Sequence, residues 1–256
     1  MNQRVIAVAN QKGGVGKTTT VVNLAAGLAK HGWRVLVVDL DPQGNATMGS
    51  GIIKHTLCHS VYSVLLAEAT VEEACQTVQK SGYDVLPANR ELAGAELELV
   101  HELAREQRLK NALAAVSDKY DYVLIDCPPS LSLLTLNGLV AAGSVLIPMV
   151  CEYYALEGLS DLVATLRKVR LAVNPKIEII GLLRTMFDAR SNLSQQVAAQ
   201  LAQHFRDKVF QTVIPRNIRL AEAPSHGLPG LIYDPMSRGA QSYQALVAEL
   251  LARFES

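Results

Sequence analysis

The sequence predicts an α/β fold: a single-domain, doubly wound, mostly parallel sheet with helices on both faces. Three observations lead there. Short runs rich in Val, Ile and Leu alternate with longer stretches of helical spacing along 256 residues. The runs are almost continuously apolar, as strands are when helices cover both faces of a sheet. No repeat, low-complexity tract or linker divides the chain, and at this length, with 49% apolar residues, it can bury one substantial core.

The strand-like runs are residues 4–9, 34–39, 83–86, 122–126, 144–150, 176–183 and 208–214. Residues 91–116 carry apolar side chains at helical spacing with Glu91, Glu96, Glu98, Glu102 and Glu106 between them, which predicts one surface helix with a solvated acidic face. Residues 224–230, rich in Pro and Gly, predict a loop before a last helix over 243–254. That helix has an apolar stripe of Leu246, Val247, Leu250 and Leu251 but, with Glu249, Arg253 and Glu255, no basic face for an anionic membrane, so core packing is expected.

Composition narrows the function classes. Lys plus Arg and Asp plus Glu balance at 24 each, so any polyanion site must be local. Cys58, Cys75, Cys127 and Cys151 lie far apart and form no Cys-x-x-Cys pair, which argues against a disulfide framework and fits a reducing cytoplasm. His55, Cys58 and His59 lack a fourth ligand and a recognised metal spacing, and read as a surface or packed loop. Cys127 reads as a packed small hydrophobe. The apolar run 5–9 is too short for a signal peptide, and no stretch reaches membrane-spanning length, so the expectation is a soluble cytoplasmic protein.

Chemistry concentrates after the first strand. Lys12-Gly13-Gly14-Val15-Gly16-Lys17-Thr18-Thr19 is a glycine-rich turn between a buried strand and a helix, where backbone N–H groups and a helix N-terminus converge on an anion. Lys17 would set its ammonium against the β- and γ-phosphates of ATP, and the Thr18 hydroxyl would complete a Mg²⁺ shell. Residues 122–126 form an apolar strand ending in Asp126, expected to hold Mg²⁺ through water, with Pro128 and Pro129 stiffening the segment that follows. Residues 35–39 also end in a carboxylate, Asp39, with Asp41 two residues on, and acids at such strand ends face the ligand crevice of an open α/β sheet. A strand-end or turn role is the competing reading for both.

The ordinary loop has glycine where this chain has Gln11, and here a second lysine, Lys12, opens it. In this the sequence resembles the deviant Walker ATPases, and among them the ParA/Soj partitioning proteins. The likeness extends to residues 86–89, 185–190 and 214–227, so it is nearly full length. The resemblance implies a slow ATPase acting as a switch. Lys12 would reach the phosphates of the other protomer's ATP in a homodimer, Asp41 would orient the attacking water, and Asp39 would support the metal. Pro215 and Asn217 would contact the nucleotide, while Arg190 and Arg219 would contact DNA.

The resemblance also implies non-specific double-stranded DNA and a ParB/Spo0J-type protein as partners, a nucleoid-associated location and no stable membrane attachment. Between 184 and 219 six basic residues, Arg184, Arg190, Arg206, Lys208, Arg216 and Arg219, face only Asp188 and Asp207, which predicts a local cationic patch, with ordinary surface salt bridges as the competing reading. Leu228 stands where the family often has lysine. With the first strand beginning at Arg4, no N-terminal helix-turn-helix domain is expected. The alternative function is a MinD- or FlhG-like membrane-associated regulator; a metabolic or redox ATPase with a similar loop is a third reading.

Overall fold

The computed structural model describes residues 3–255. In chain order the elements begin with β1 (Arg4–Val8), α1 (Lys17–Lys30), β2 (Val35–Asp39), α2 (Asn45–Gly49), α3 (Val61–Leu65) and α4 (Val71–Ala74). There follow β3 (Gln76–Val78), β4 (Tyr83–Leu86), α5 (Leu92–Glu98), α6 (Arg108–Ala114), β5 (Tyr122–Asp126), α7 (Leu133–Ala141) and β6 (Ser144–Val150). The chain closes with α8 (Ala155–Ala172), β7 (Glu178–Phe187), α9 (Asn192–Phe205), β8 (Val209–Pro215), α10 (Ile218–Glu222), α11 (Gly230–Tyr233) and α12 (Arg238–Glu255).

One sheet has the order β3-β4-β2-β5-β1-β6-β7-β8. Every pairing is parallel except β3 with β4. All five residues of β2 and of β5 are buried, because helices cover both faces. On one face Val21, Leu24 and Leu28 of α1 meet Leu246, Val247 and Leu250 of α12 over Ile6, Val8 and Leu124. On the other, α5 to α9 pack over Ala7, Leu36, Val38, Val123 and Ile125. The apolar stripe of the last helix is thus spent on the core.

The register places the chemistry. Val8 lies opposite Asp126, and Asp126 opposite Asp39, so β1, β5 and β2 end at one level. The strand order reverses across β1, flanked by β5 from later in the chain, and such a switch point opens a crevice at the carboxyl edge.

The structure departs from the sequence reading at five points. The acidic segment is not one helix: α5 ends in a 3-10 turn at Leu99–His101, Ala104 takes a left-handed φ of 52°, and a second 3-10 turn at Arg105–Gln107 precedes α6. Helical spacing of apolar residues continues through the break, so periodicity alone does not reveal it. The antiparallel edge strand β3 is short and largely exposed, and lacks the apolar run that marks the others. β7 runs to Phe187, four residues beyond the expected end, and α12 starts at Arg238, five residues early. Residues 224–230 contain a 3-10 turn at Ala223–His226 and open α11.

β7 is bent into place by a register shift opposite Val145 and Leu146. Gly181 sits at that point because the Phe210 ring of β8 lies against its backbone; a Cβ there would stand 2.3 Å from Phe210 Cε2. Gly181→Ala is therefore expected to cost about 1–3 kcal/mol of stability, read by urea unfolding, and Phe210→Leu in the same chain is expected to recover part of it. Unchanged stability in the single variant would show that the ring moves freely.

Candidate nucleotide site

The loop between β1 and α1 is held from three sides. Asn10 Nδ2 donates to the Pro148 carbonyl of β6 at 2.8 Å, and Asn10 Oδ1 accepts from the Lys12 N–H at 3.0 Å. Thr185 of β7 donates its hydroxyl to the Val15 carbonyl at 2.8 Å. Gly14 and Gly16 take φ of 70° and 86°, a region open to glycine and strained for side chains with a Cβ. Gly16 is also the last residue before α1, so the first N–H groups of that helix are presented to the crevice. Gln11 buries its amide nitrogen beside the loop with no partner in the protein.

The two lysines behave differently. Lys17 is buried, its Nζ folded back to the Lys12 carbonyl at 3.3 Å. Burial pulls its pKa below the ordinary lysine value, opposed by Asp126, Cys127 and Asp41. The Lys12 side chain leaves the loop and pairs with Glu152, at the start of the β6–α8 connection, at 2.5 Å; both side chains are about half exposed, 48% and 52%.

Thr18 donates its hydroxyl to Asp126 Oδ2 at 2.7 Å, while Asp126 Oδ1 is buried with no partner. Burial and the neighbouring Asp39 push the Asp126 carboxyl well above the ordinary range. Such an orphaned oxygen beside a threonine hydroxyl fits Mg²⁺, which binds through one or two carboxylates and keeps water and phosphate as its other ligands. When bound, the ion would neutralise phosphate charge.

Asp39 is fully buried and fully engaged. Its Oδ2 accepts from the Thr47 N–H at 2.8 Å and the Thr47 hydroxyl at 2.7 Å, and Oδ1 accepts from the Asp41 N–H at 3.2 Å. Burial raises its pKa to about 6 against those bonds. These contacts anchor the segment after β2 and give each oxygen of Asp39 a hydrogen-bond partner. Asp41, partly exposed at the crevice, accepts from the Gln43 N–H at 2.9 Å with Oδ1 alone.

Pro215 and Asn217 line a cavity of about 200 Å³ with Gly16, Thr19, Met186, Ile214 and Tyr243, next to the loop. Asn217 Oδ1 caps α10 through the Leu220 N–H at 3.1 Å, leaving its amide NH₂ for a ligand. Met186 lines the same cavity in a left-handed conformation, φ 49°. Thr185, Met186, Asn10 and Glu152 are site residues that sequence reasoning missed. Thr185 and Met186 lie within a segment whose family likeness is visible, whereas nothing in the sequence marks Glu152 as the partner of Lys12.

The cationic patch does not form as expected. Arg184 turns inward to the carbonyls of Phe210 and Gln211. Arg206 and Lys208 precede β8, at the amino edge, while Arg190, Arg216 and Arg219 follow β7 and β8 at the carboxyl edge. Arg190 pairs with Asp188 at 3.0 Å, and Arg219 pairs with Glu222 at 2.9 Å and Asp234 at 3.3 Å. His55, Cys58 and His59 are exposed, and Cys127 is buried with its thiol pushed up by burial.

A family model described as an AAA domain matches residues 3–179. The chain is 56% identical to the sporulation initiation inhibitor protein Soj of Bacillus subtilis, over 97% of this chain and 98% of that protein. It is 50% identical to the chromosome partitioning protein ParA of Myxococcus xanthus, over 98% and 88%. The chain belongs to the ParA/Soj family of partitioning ATPases. Among solved structures, cobyrinic acid a,c-diamide synthase from Mycobacterium smegmatis, with a bound ATP analog and magnesium, superposes with a TM-score of 0.87 at 40% identity, covering 99% of this chain and 96% of that one. The cell division ATPase MinD of Pyrococcus furiosus gives 0.80 at 27% identity, covering 97% and 98%.

ATP hydrolysis is the activity of the ParA/Soj family to which the chain belongs. Among the described residues no helix is long and apolar enough to cross a membrane.

Two outcomes follow for the ParA/Soj site. Thr185→Val keeps shape but leaves the Val15 carbonyl without its donor, a loss of about 1–3 kcal/mol, so the Kd for ATP is expected to rise roughly tenfold in calorimetric titration; unchanged affinity would exclude the tether. For Asp126 the native pKa lies above the unfolded one, so the native state holds a proton more tightly and stability falls as pH rises from the ordinary carboxylate range toward the native value. Asp126→Asn lacks that loss. Without Mg²⁺ at pH 8 it is expected to melt at or above the parent temperature, while losing the rise that Mg²⁺ and ATP give the parent. A lower melting point without ligand would contradict the electrostatic account.

Proposed function

We propose that this chain is an ATP-driven partitioning switch: ATP and Mg²⁺ bring two copies together, the dimer binds double-stranded DNA without sequence preference, and hydrolysis, stimulated by a ParB-type partner, releases it. The observation that carries this reading is the divergence of the two lysines. Lys17 is folded into its own loop, whereas Lys12 projects from it to an exposed carboxylate. A lysine that projects out of its own cradle supports a role on a ligand presented by a second protomer.

The residues divide the work. Loop N–H groups and Lys17 bind and orient the phosphates, Thr18 and Asp126 would hold Mg²⁺, and Pro215 and Asn217 border the cavity for the base. Asp41, with one oxygen committed to its own turn, has the other to orient a water. Arg190 and Arg219 supply phosphate contacts at the same edge. The relatives named Soj and ParA reach higher identity, 56% and 50%, than the synthase at 40%. A MinD-like membrane role loses support from the last helix, where Leu246, Val247 and Leu250 are buried.

The test measures sedimentation and DNA retention with ATP, ADP or no nucleotide, and repeats the binding on anionic liposomes. DNA retention and dimers are expected with ATP alone, and binding to liposomes in place of DNA would reject the reading. Lys12→Ala is expected to bind ATP within a few-fold of the parent yet fail to dimerise. Asp41→Ala is expected to dimerise, hold DNA and turn over at least about a hundredfold more slowly, the range for loss of a proton-handling group. Parent-like turnover in Asp41→Ala would remove its assigned role.

A further inference from the structure

A second cationic surface lies at the opposite end of the sheet from the nucleotide site. Arg167 and Arg170 of α8 and Lys208 before β8 border a cavity of about 310 Å³, with Glu178 as the one carboxylate among its lining residues. None of the three cations has a hydrogen-bond or ion-pair partner among the described residues, unlike Arg190 and Arg219. Lys176 and Arg206 stand close by in sequence and are exposed, as is Asp207 between Arg206 and Lys208. In a chain of zero net charge this is a marked local surplus.

The flank between this surface and Arg190 is bridged by α9. Its 14 residues span about 21 Å at about 1.5 Å per residue, running from just after Arg190 down to Arg206. Its sequence, NLSQQVAAQLAQHF, holds no carboxylate. The apolar side, Val197, Ala198 and Leu201, is buried, and the exposed side presents Asn192, Gln195, Gln196, Gln200, Gln203 and His204, with Leu193 as its one large apolar side chain. Neutral amides and cations are the groups that contact DNA phosphates and sugars, whereas a helix lying on a membrane turns an apolar face outward.

We propose that the DNA footprint extends from Arg190 along α9 to the Arg167, Arg170 and Lys208 surface, which binds the phosphate backbone of a duplex. The ten residues of β7 set the length of this track at about 33 Å, at about 3.3 Å per residue. That matches about ten base pairs at about 3.4 Å each. The inference rests on the DNA-binding reading above and adds to it a contact surface that does not touch the nucleotide edge.

The experiment measures the apparent Kd of the ATP-bound protein for a fixed duplex between 50 and 200 mM salt, concentrations chosen for a steep salt response. Four proteins are compared: the parent, Arg167→Gln/Arg170→Gln/Lys208→Gln, Arg167→Lys/Arg170→Lys, and Arg190→Gln/Arg219→Gln, with ATP-dependent dimerisation recorded for each. The glutamine triple is expected to flatten the log–log salt slope by about 2.7 per protomer, and the lysine double to keep the parent slope. A parent slope in the triple, while Arg190→Gln/Arg219→Gln loses DNA, overturns the extended footprint and leaves DNA binding standing. No ATP-dependent DNA binding by the parent overturns both. Loss in the lysine double equal to that in the triple, or a triple that loses anionic vesicles while keeping its DNA slope, overturns the assignment to phosphate-backbone contact.

Discussion

The common level at which β1, β5 and β2 end is the constraint on which the site depends. Val8, Asp126 and Asp39 are neighbours across three parallel strands, so the loop after β1 emerges beside both carboxylates. A slip of one residue in β5 would turn Asp126 to the other face and put an apolar side chain at the edge. The buried, uninterrupted apolar faces of these strands fix that register. Core packing and catalytic geometry are here the same requirement.

The arrangement carries an electrostatic cost at its centre. Two carboxylates stand side by side in a buried setting, and the one ammonium among them, Lys17, is itself depressed by burial. Asp39 is made tolerable by three hydrogen bonds from Thr47 and Asp41, which also tie the segment after β2 to the strand end. Asp126 keeps one oxygen without a partner. Stability given up at that oxygen is recovered when a cation arrives, which links ligand binding to the rigidity of the edge.

The central fold was legible because strands covered on both faces advertise themselves as continuous apolar runs, and the phosphate loop because glycine, lysine and threonine at fixed spacing after such a run have few other uses. What stayed hidden depends on tertiary placement. β3 is an exposed edge strand with no apolar signal, and the turn at Ala104 interrupts a segment whose periodicity continues. Arg184 counts as a surface charge in sequence but faces two carbonyls, since a strand residue near a sheet edge can reach backbone that only the fold brings alongside. Glu152 becomes informative only once β6 delivers it to Lys12.

The three cations assigned to act on a second molecule at the nucleotide edge share one condition. Lys12, Arg190 and Arg219 are each held by carboxylates at the protein surface. Exposed pairs of this kind contribute about 0–1 kcal/mol, so exchanging a carboxylate for a phosphate costs little, and the reverse exchange is as easy. The proposed switch, assembling on ATP and DNA and letting go after hydrolysis, requires that symmetry. Cations buried in strong pairs would not be released to either partner. The half-exposed pairing of Lys12 with Glu152 stays clear of that limit, at the edge where a second protomer's phosphates would arrive.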